Sequence, residues 1–238
     1  VPIKILHTND MHGTLTDQRF AFLKDLRDKA ELYFDSGDVI KTGNLGIPLR
    51  QEVAWTYLDR LKCTASVLGN RETHVLESAF QSKLAGSTHP VLCSNLRRKD
   101  SSRPLPTDLL LEVNGLRVGI FAVMVQMVTE RMKTQALSAY LWDSPVKTAI
   151  EQVAKLRQQV DLLICLSHIG HRQDLELAKA VDGIDVILGG HSHTVLTEPI
   201  KVGNTFICQG GSHNRFVGLY EWDATSGLTG TLIPIPAS

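Results

Sequence analysis

The sequence predicts an α/β protein in which two mixed sheets pack face to face with helices outside. Three observations carry this. Short apolar runs that read as strands alternate with amphipathic helical stretches, the rhythm of βαβ units. Hairpin signals fall in the middle and near the end of the chain. Five strand-like runs are each followed at once by a short polar motif: Asp10-Met11-His12, Gly37-Asp38, Gly69-Asn70, Ser167-His168 and Gly190-His191-Ser192-His193. In open α/β architectures ligands bind beyond the carboxyl ends of the strands, so all five motifs are expected at one binding edge. At 238 residues the chain is read as one domain over 1–238.

The elements follow in order. Residues 3–7 alternate and are rich in isoleucine, which makes them the first strand. Residues 19–28 place Phe20, Leu23 and Leu26 at helical spacing, with Asp17 as the expected cap. Residues 32–34 form a second strand. Residues 51–61 form a helix with Val53, Ala54, Tyr57, Leu58 and Leu61 on its apolar face. A third strand at 65–68 precedes a helix at 75–84, and a fourth strand lies at 90–93. Residues 97–108 are polar and contain proline, so they read as a surface loop. Runs at 109–113 and 116–123 are joined by Asn114-Gly115, a strong hairpin signal. A helix at 145–158 leads to buried strands at 162–166 and 186–188, separated by a helix at 175–181. The tail, 206–236, reads as short strands with Gly-rich turns.

Composition excludes some functions. Lys and Arg total 25 and Asp and Glu total 25, so the formal net charge is zero. Neither nucleic acid nor a membrane surface is an expected partner. No run approaches the roughly 18 apolar residues of a membrane-spanning helix. No signal-peptide pattern is visible, and the compartment stays open. Cys63, Cys93, Cys165 and Cys208 form no CxxC pair and sit in apolar surroundings. They read as buried thiols, with two disulfides as the alternative.

The five motifs together point to metal. Singly, Gly-Asp and Gly-Asn are ordinary turn signals, and a single strand-end histidine is more often structural. In combination they supply Asp10, His12, Asp38, Asn70, His168, His191 and His193. Residues two apart in extended backbone share a side, so Asp10 and His12 converge if the strand runs through them, and His191 and His193 have the same spacing. The two oxygens of Asp38 can bridge two cations. Imidazole, carboxylate and amide without thiolate suit Mn, Fe, Zn, Co or Ni better than Ca or Mg; the ligand types do not choose among these, and Mn is the ion expected.

The longer stretches His7-Thr8-Asn9-Asp10-Met11-His12-Gly13, Asp35-Ser36-Gly37-Asp38, Leu68-Gly69-Asn70-Arg71-Glu72, Leu166-Ser167-His168-Ile169-Gly170 and Gly189-Gly190-His191-Ser192-His193 resemble the motifs of calcineurin-like metallophosphoesterases. More narrowly, the chain is similar to the catalytic domain of the 5′-nucleotidase group from about residue 1 to about residue 222. The nucleoside-binding domain such nucleotidases carry is not expected in it. The resemblance implies a four-layer αββα sandwich with a dinuclear centre of two divalent ions. One ion would be held by Asp10, His12, Asp38 and His193, the other by Asp38, Asn70, His168 and His191. The implied reaction is hydrolysis of a phosphomonoester or phosphodiester on a small substrate, nucleotides included.

One position departs from that pattern. The family motif is Gly-Asn-His followed by Glu or Asp, and here the histidine is replaced by Arg71. Arginine matches phosphate oxygens with a permanent charge but cannot donate a proton near neutral pH. The catalytic candidates are therefore Asp38, Arg71 and His74, the last as a surrogate acid with helix capping as its plainer role. His213 lies on a loop expected to border the cleft. Arg71 also leaves a second reading open: a metal-bearing domain of feeble activity that binds a phosphorylated ligand or a partner protein. Hydrolysis of a sulfate or thiosulfonate ester is a third.

Overall fold

The computed structural model describes residues 2–237. In chain order the elements are β1 (Ile3–Thr8), α1 (Asp17–Arg27), β2 (Leu32–Asp35), α2 (Val53–Arg60), β3 (Ala65–Val67), α3 (Glu77–Leu84), β4 (Val91–Leu92), β5 (Leu96–Arg98), β6 (Asp108–Val113), β7 (Leu116–Met124), β8 (Tyr140–Trp142), α4 (Pro145–Leu156), β9 (Leu162–His168), α5 (His171–Ala180), β10 (Val186–Gly189), β11 (Ile200–Val202), β12 (Thr205–Cys208), β13 (Phe216–Asp223) and β14 (Gly227–Pro234).

Twelve of the strands form two six-stranded mixed sheets, as the alternation predicts, and β5 and β8 form a separate pair. The first has the order β14-β13-β1-β2-β3-β4 and the second β11-β12-β10-β9-β7-β6. Strands β1 to β4 are parallel neighbours in sequence order. Right-handed crossovers therefore place α1, α2 and α3 on one face of the first sheet. In the second sheet β7, β9, β10 and β12 are parallel. Here strand alternation divides the core. Ile120, Ala122, Leu162, Ile164 and Leu166 join the cluster shared with Ile5, Phe34 and Val67 of the first sheet. Phe121, Val123, Leu163 and Cys165 point the other way, against Ala149 and Leu156 of α4 and Leu177 of α5. Every residue of β9 is buried, as expected of a strand covered on both faces. The result is a helix–sheet–sheet–helix sandwich.

Local differences from the sequence reading have physical reasons. The cap of α1 is Thr16, whose side chain accepts from the Arg19 N–H, while Asp17 is the first helical residue and accepts from the Tyr57 hydroxyl. On α2, Val53 is exposed and Trp55 is buried, because the Trp55 indole donates to the Lys83 carbonyl at 2.8 Å. The 97–108 loop begins inside a strand: β5 pairs antiparallel with β8. Charged Arg97 and Arg98 take part because they pair outward with Asp143 and Glu77. Helix α4 ends at Leu156 and tightens into a 3-10 turn over Arg157–Gln159. In the tail, β13 and β14 are eight residues each, longer than expected. All four cysteines are free and buried. No helix among the described residues is long and apolar enough to cross a membrane.

Candidate metal centre

The five motifs meet where the two sheets face each other. Asp10, Asp38 and Asn70 follow β1, β2 and β3 of the first sheet, and His168 and His191 close and follow β9 and β10 of the second. Close loop contact requires glycine at two of the junctions. A Cβ on Gly69 would lie 2.1 Å from the Asp38 nitrogen, and one on Gly190 would lie 2.5 Å from the Ser36 carbonyl.

The backbone does not run extended through these residues. Asp10, His12, Asp38, His191 and His193 all have positive φ, from 51° to 75°. The reading that placed Asp10 and His12 on one side of a continuing strand is corrected here. β1 ends at Thr8, and the two side chains meet because each residue turns left-handed. Such backbone is costly for residues with a Cβ and clusters at functional sites. It is held in place by Asp10 N–H to the Gly37 carbonyl and His12 N–H to the Asp38 carbonyl, both 2.9 Å.

Two groups of donor atoms come together: Asp10, His12 and His193, and Asp10, Asp38 and His168. The Nε2 atoms of His12 and His193 are 3.0 Å apart, and His193 Nε2 lies 3.3 Å from Asp10 Oδ1. His168 Nε2 lies 3.5 Å from Asp38 Oδ1. The Asn70 carbonyl oxygen sits 3.0 Å from His168 Nε2 and 2.8 Å from His191 Nδ1. Asp10 Oδ1 and His12 Nδ1 are buried without a hydrogen-bond partner. An unsatisfied buried polar atom costs roughly 1–3 kcal/mol, and a divalent cation among these lone pairs would remove that cost. The donor set fits one.

Surrounding groups orient the donors. Asn9 donates to Asp10 Oδ2 at 2.7 Å. His191 N–H donates to the same oxygen at 2.9 Å, and Arg71 N–H donates to Asp38 Oδ1 at 2.8 Å. His168 is buried and its Nδ1 contacts the Ser36 carbonyl at 2.6 Å, which leaves Nε2 facing the cluster. Two orienting residues were not assigned from sequence. Buried Glu72 accepts from the N–H groups of Asp38, Val39, Ile40 and Gly69 at 2.9–3.1 Å. Gln209 donates to the Gly190 carbonyl and accepts from Ser192 and Thr194, which pins the His191–His193 loop. Glu72 closes the Leu68–Glu72 motif, the one signal that could have marked it, whereas Gln209 lies outside all five motifs.

Electrostatics divide the histidines. Burial and the Arg71 charge hold His12 down at about 4. The Asp10 carboxylate beside it raises His193 from the ordinary imidazole value. His168 is also raised: burial acts against this, but the carboxylates of Asp38 and Asp10 outweigh it. For Asp10 the burial penalty is overcome by the neighbouring His193, the charge of His168 and the Asn9 bond, and the carboxyl is lowered. Burial pushes Glu72 up to about 7 against the pull of its backbone donors.

The remaining candidates separate. Arg71 lies at the mouth, with Nη1 donating to the Lys41 carbonyl at 3.0 Å and Nε 3.9 Å from Asp38 Oδ2. The His213 ring centroid is 4.7 Å from that of His12. His74 is not drawn into the cluster. Its Nδ1 accepts from the Leu76 N–H at 3.0 Å, and it lines a cavity of about 210 Å³ with Leu45, Met127, Val128 and Trp142. His89 bridges Asp59 and Ser66 within the fold.

The family model described as calcineurin-like phosphoesterase matches residues 3–195. The trifunctional nucleotide phosphoesterase protein YfkN of Bacillus subtilis is 26% identical over 269 residues, covering 91% of this chain and 18% of that protein. An apyrase of Aedes albopictus is 28% identical over 227 residues, covering 82% of this chain and 40% of that one. The chain thus spans less than half the length of either relative. The crystal structure of a 5′-nucleotidase precursor from Thermus thermophilus superposes with a TM-score of 0.79 at 22% identity, over 99% of this chain and 55% of that one, a likeness of fold.

Proposed function

The chain belongs to the calcineurin-like phosphoesterase family, and on that premise we propose that it hydrolyses phosphomonoesters or phosphodiesters of small molecules, nucleotides among them, at a dinuclear metal centre. Asp10, His12, Asp38 and His193 are assigned to one ion. Asp38, Asn70, His168 and His191 are assigned to the other, with Asp38 bridging. The observation that carries this is the convergence of seven donor side chains around two buried atoms without partners, Asp10 Oδ1 and His12 Nδ1. Mn is the ion expected, with Zn, Fe, Co and Ni as its competitors for such donors. Divalent ions held there would supply Lewis-acid charge and lower the pKa of an attacking water.

The protein's own groups do the rest. Arg71 faces the cluster with a charge that neutralises phosphoryl oxygens as negative charge builds on them. The Glu72 carboxylate fixes the turn carrying Asp38. Arg71, in the family histidine's place, cannot donate a proton near neutral pH. His74 is occupied by the Leu76 N–H and is given no step. An alkoxide must then depart unaided, whereas a phenolate leaves by itself. General acid catalysis is typically worth about 10²–10⁴-fold, so aryl phosphates should exceed alkyl phosphates such as a nucleoside monophosphate by a factor in that range.

The test compares kcat/KM for p-nitrophenyl phosphate and a nucleoside monophosphate at saturating Mn, in wild type and Arg71→His. The expected result is a large aryl preference that Arg71→His narrows by raising the alkyl rate. Equal wild-type rates with chemistry rate-limiting would mean another acid is present, and His213→Ala would identify it if it alone abolished the parity. No turnover on either ester with metal bound would favour the second reading, a weakly catalytic domain that binds phosphorylated ligands. Arg71 is the feature that supports that reading.

A further inference from the structure

Lys83 lies on α3 and is fully buried, a rare place for an ammonium group. It points at backbone. Its Nζ donates to the carbonyls of Gly43 at 2.9 Å and Asn44 at 3.0 Å, in the loop after β2. It also donates to those of Arg71 at 2.6 Å and Thr73 at 2.9 Å, in the loop after β3. An ammonium has three N–H groups, so four carbonyls share them around one charge. Without the cation, the negative ends of four dipoles from two loops would face one another in a buried space.

The consequence reaches the metal centre in one further step. The Asn44 side-chain oxygen accepts from Asn70 Nδ2 at 3.0 Å. A carboxamide has one acceptor end and one donor end. Fixing Nδ2 on Asn44 turns the Asn70 oxygen toward His191 and His168, at 2.8 Å and 3.0 Å. A flipped amide would present N–H groups there, and these have no lone pair for a cation.

We propose that Lys83 is a positioning residue for the centre: it clamps the 43–44 and 71–73 loops so that Asn44 holds the Asn70 oxygen on the ion it shares with His168 and His191. This rests on the assignment of Asn70 as a ligand. Residues that orient metal ligands typically change affinity by about 10–100-fold when altered.

The test is a Mn²⁺ titration of the metal-free protein, with free ion read from its EPR signal, on wild type, Lys83→Met and Asn44→Ala, alongside thermal melts. Wild type is expected to bind two ions. In both variants one site weakens by about 10–100-fold while the other holds. Asn44 is exposed, so Asn44→Ala should melt close to wild type and shows the loss without a folding defect. It decides the matter if Lys83→Met does not fold. A Lys83→Met protein that melts lower but binds both ions as tightly as wild type would make Lys83 a purely structural residue and overturn the proposal. Unchanged binding in Asn44→Ala would overturn it as well. Wild type that binds no metal would overturn the ligand assignment, and this proposal with it.

Discussion

The two walls of the centre are built by opposite means. The wall from the first sheet carries Asp10, Asp38 and Asn70, and its acceptors are fixed by N–H donors: Asn9 and His191 on Asp10, Arg71 on Asp38. The wall from the second sheet carries His168, His191 and His193. His168 is fixed by an acceptor, the Ser36 carbonyl, and His193 is held through its loop by Gln209, with its Nε2 3.0 Å from His12 Nε2 and 3.3 Å from Asp10 Oδ1. Exposure sets apart only the far end of the histidine wall: Asp10 and His168 are at 0% and Asp38 at 5% of side-chain area exposed, and His193 is at 41%. Acceptor-rich and donor-rich walls orient each other across the seam. The carboxylates are held by the backbone N–H groups of His191 and Arg71 together with the Asn9 side chain.

The comparison is broken most directly at its shared residue. Asp38→Ala should lower kcat/KM on an aryl phosphate by well over the roughly 10–100-fold expected of an orienting residue. His193→Ala, at the exposed end of the other wall, should stay within that range and recover part of its loss as Mn is raised. Equal losses in the two variants, measured across a Mn series, would mean that the walls are not unequal.

The seam between the walls supplies a smaller effect. His7 Nε2 contacts the Ser36 hydroxyl at 2.9 Å, and that hydroxyl donates to the Leu188 carbonyl of the second sheet at 2.7 Å. Burial lowers His7 from 6.5 to about 3. A base with a depressed folded pKa contributes stability that is present above 6.5 and is lost as pH falls toward 3. The full window is worth on the order of 4–5 kcal/mol. His12, lowered to about 4, acts in the same direction. The raised His168, His193 and Glu72 act the other way, so the quantity to read is a difference: in urea unfolding of metal-free protein, His7→Gln should gain stability relative to wild type as pH falls from 7 to 5. An identical slope in that variant would place the titration elsewhere.

Much of this was legible in the sequence because it is local. Strand ends are marked by apolar runs that stop at Gly or Asp, and Asn114-Gly115 encodes its own hairpin. What stayed hidden depends on distant chain. The left-handed turns at Asp10 and His12 are set by contacts with Gly37 and Asp38, so extended geometry was the wrong route to the right neighbours. β5 was masked by arginines whose partners lie more than 20 residues away. Lys83 reads as one more surface lysine until the fold brings four carbonyls to it. His74, three residues beyond Arg71, shows the reverse: nearness in sequence suggested a role that its contacts do not supply.

The central claim is that seven side chains hold two ions bridged by Asp38. Anomalous scattering from crystals grown with Mn²⁺ tests it directly. The account predicts two peaks flanking the Asp38 carboxylate, one beside His12 and His193 and one beside Asn70, His168 and His191. A single peak, with Asn70 and His168 turned away from it, would contradict the account.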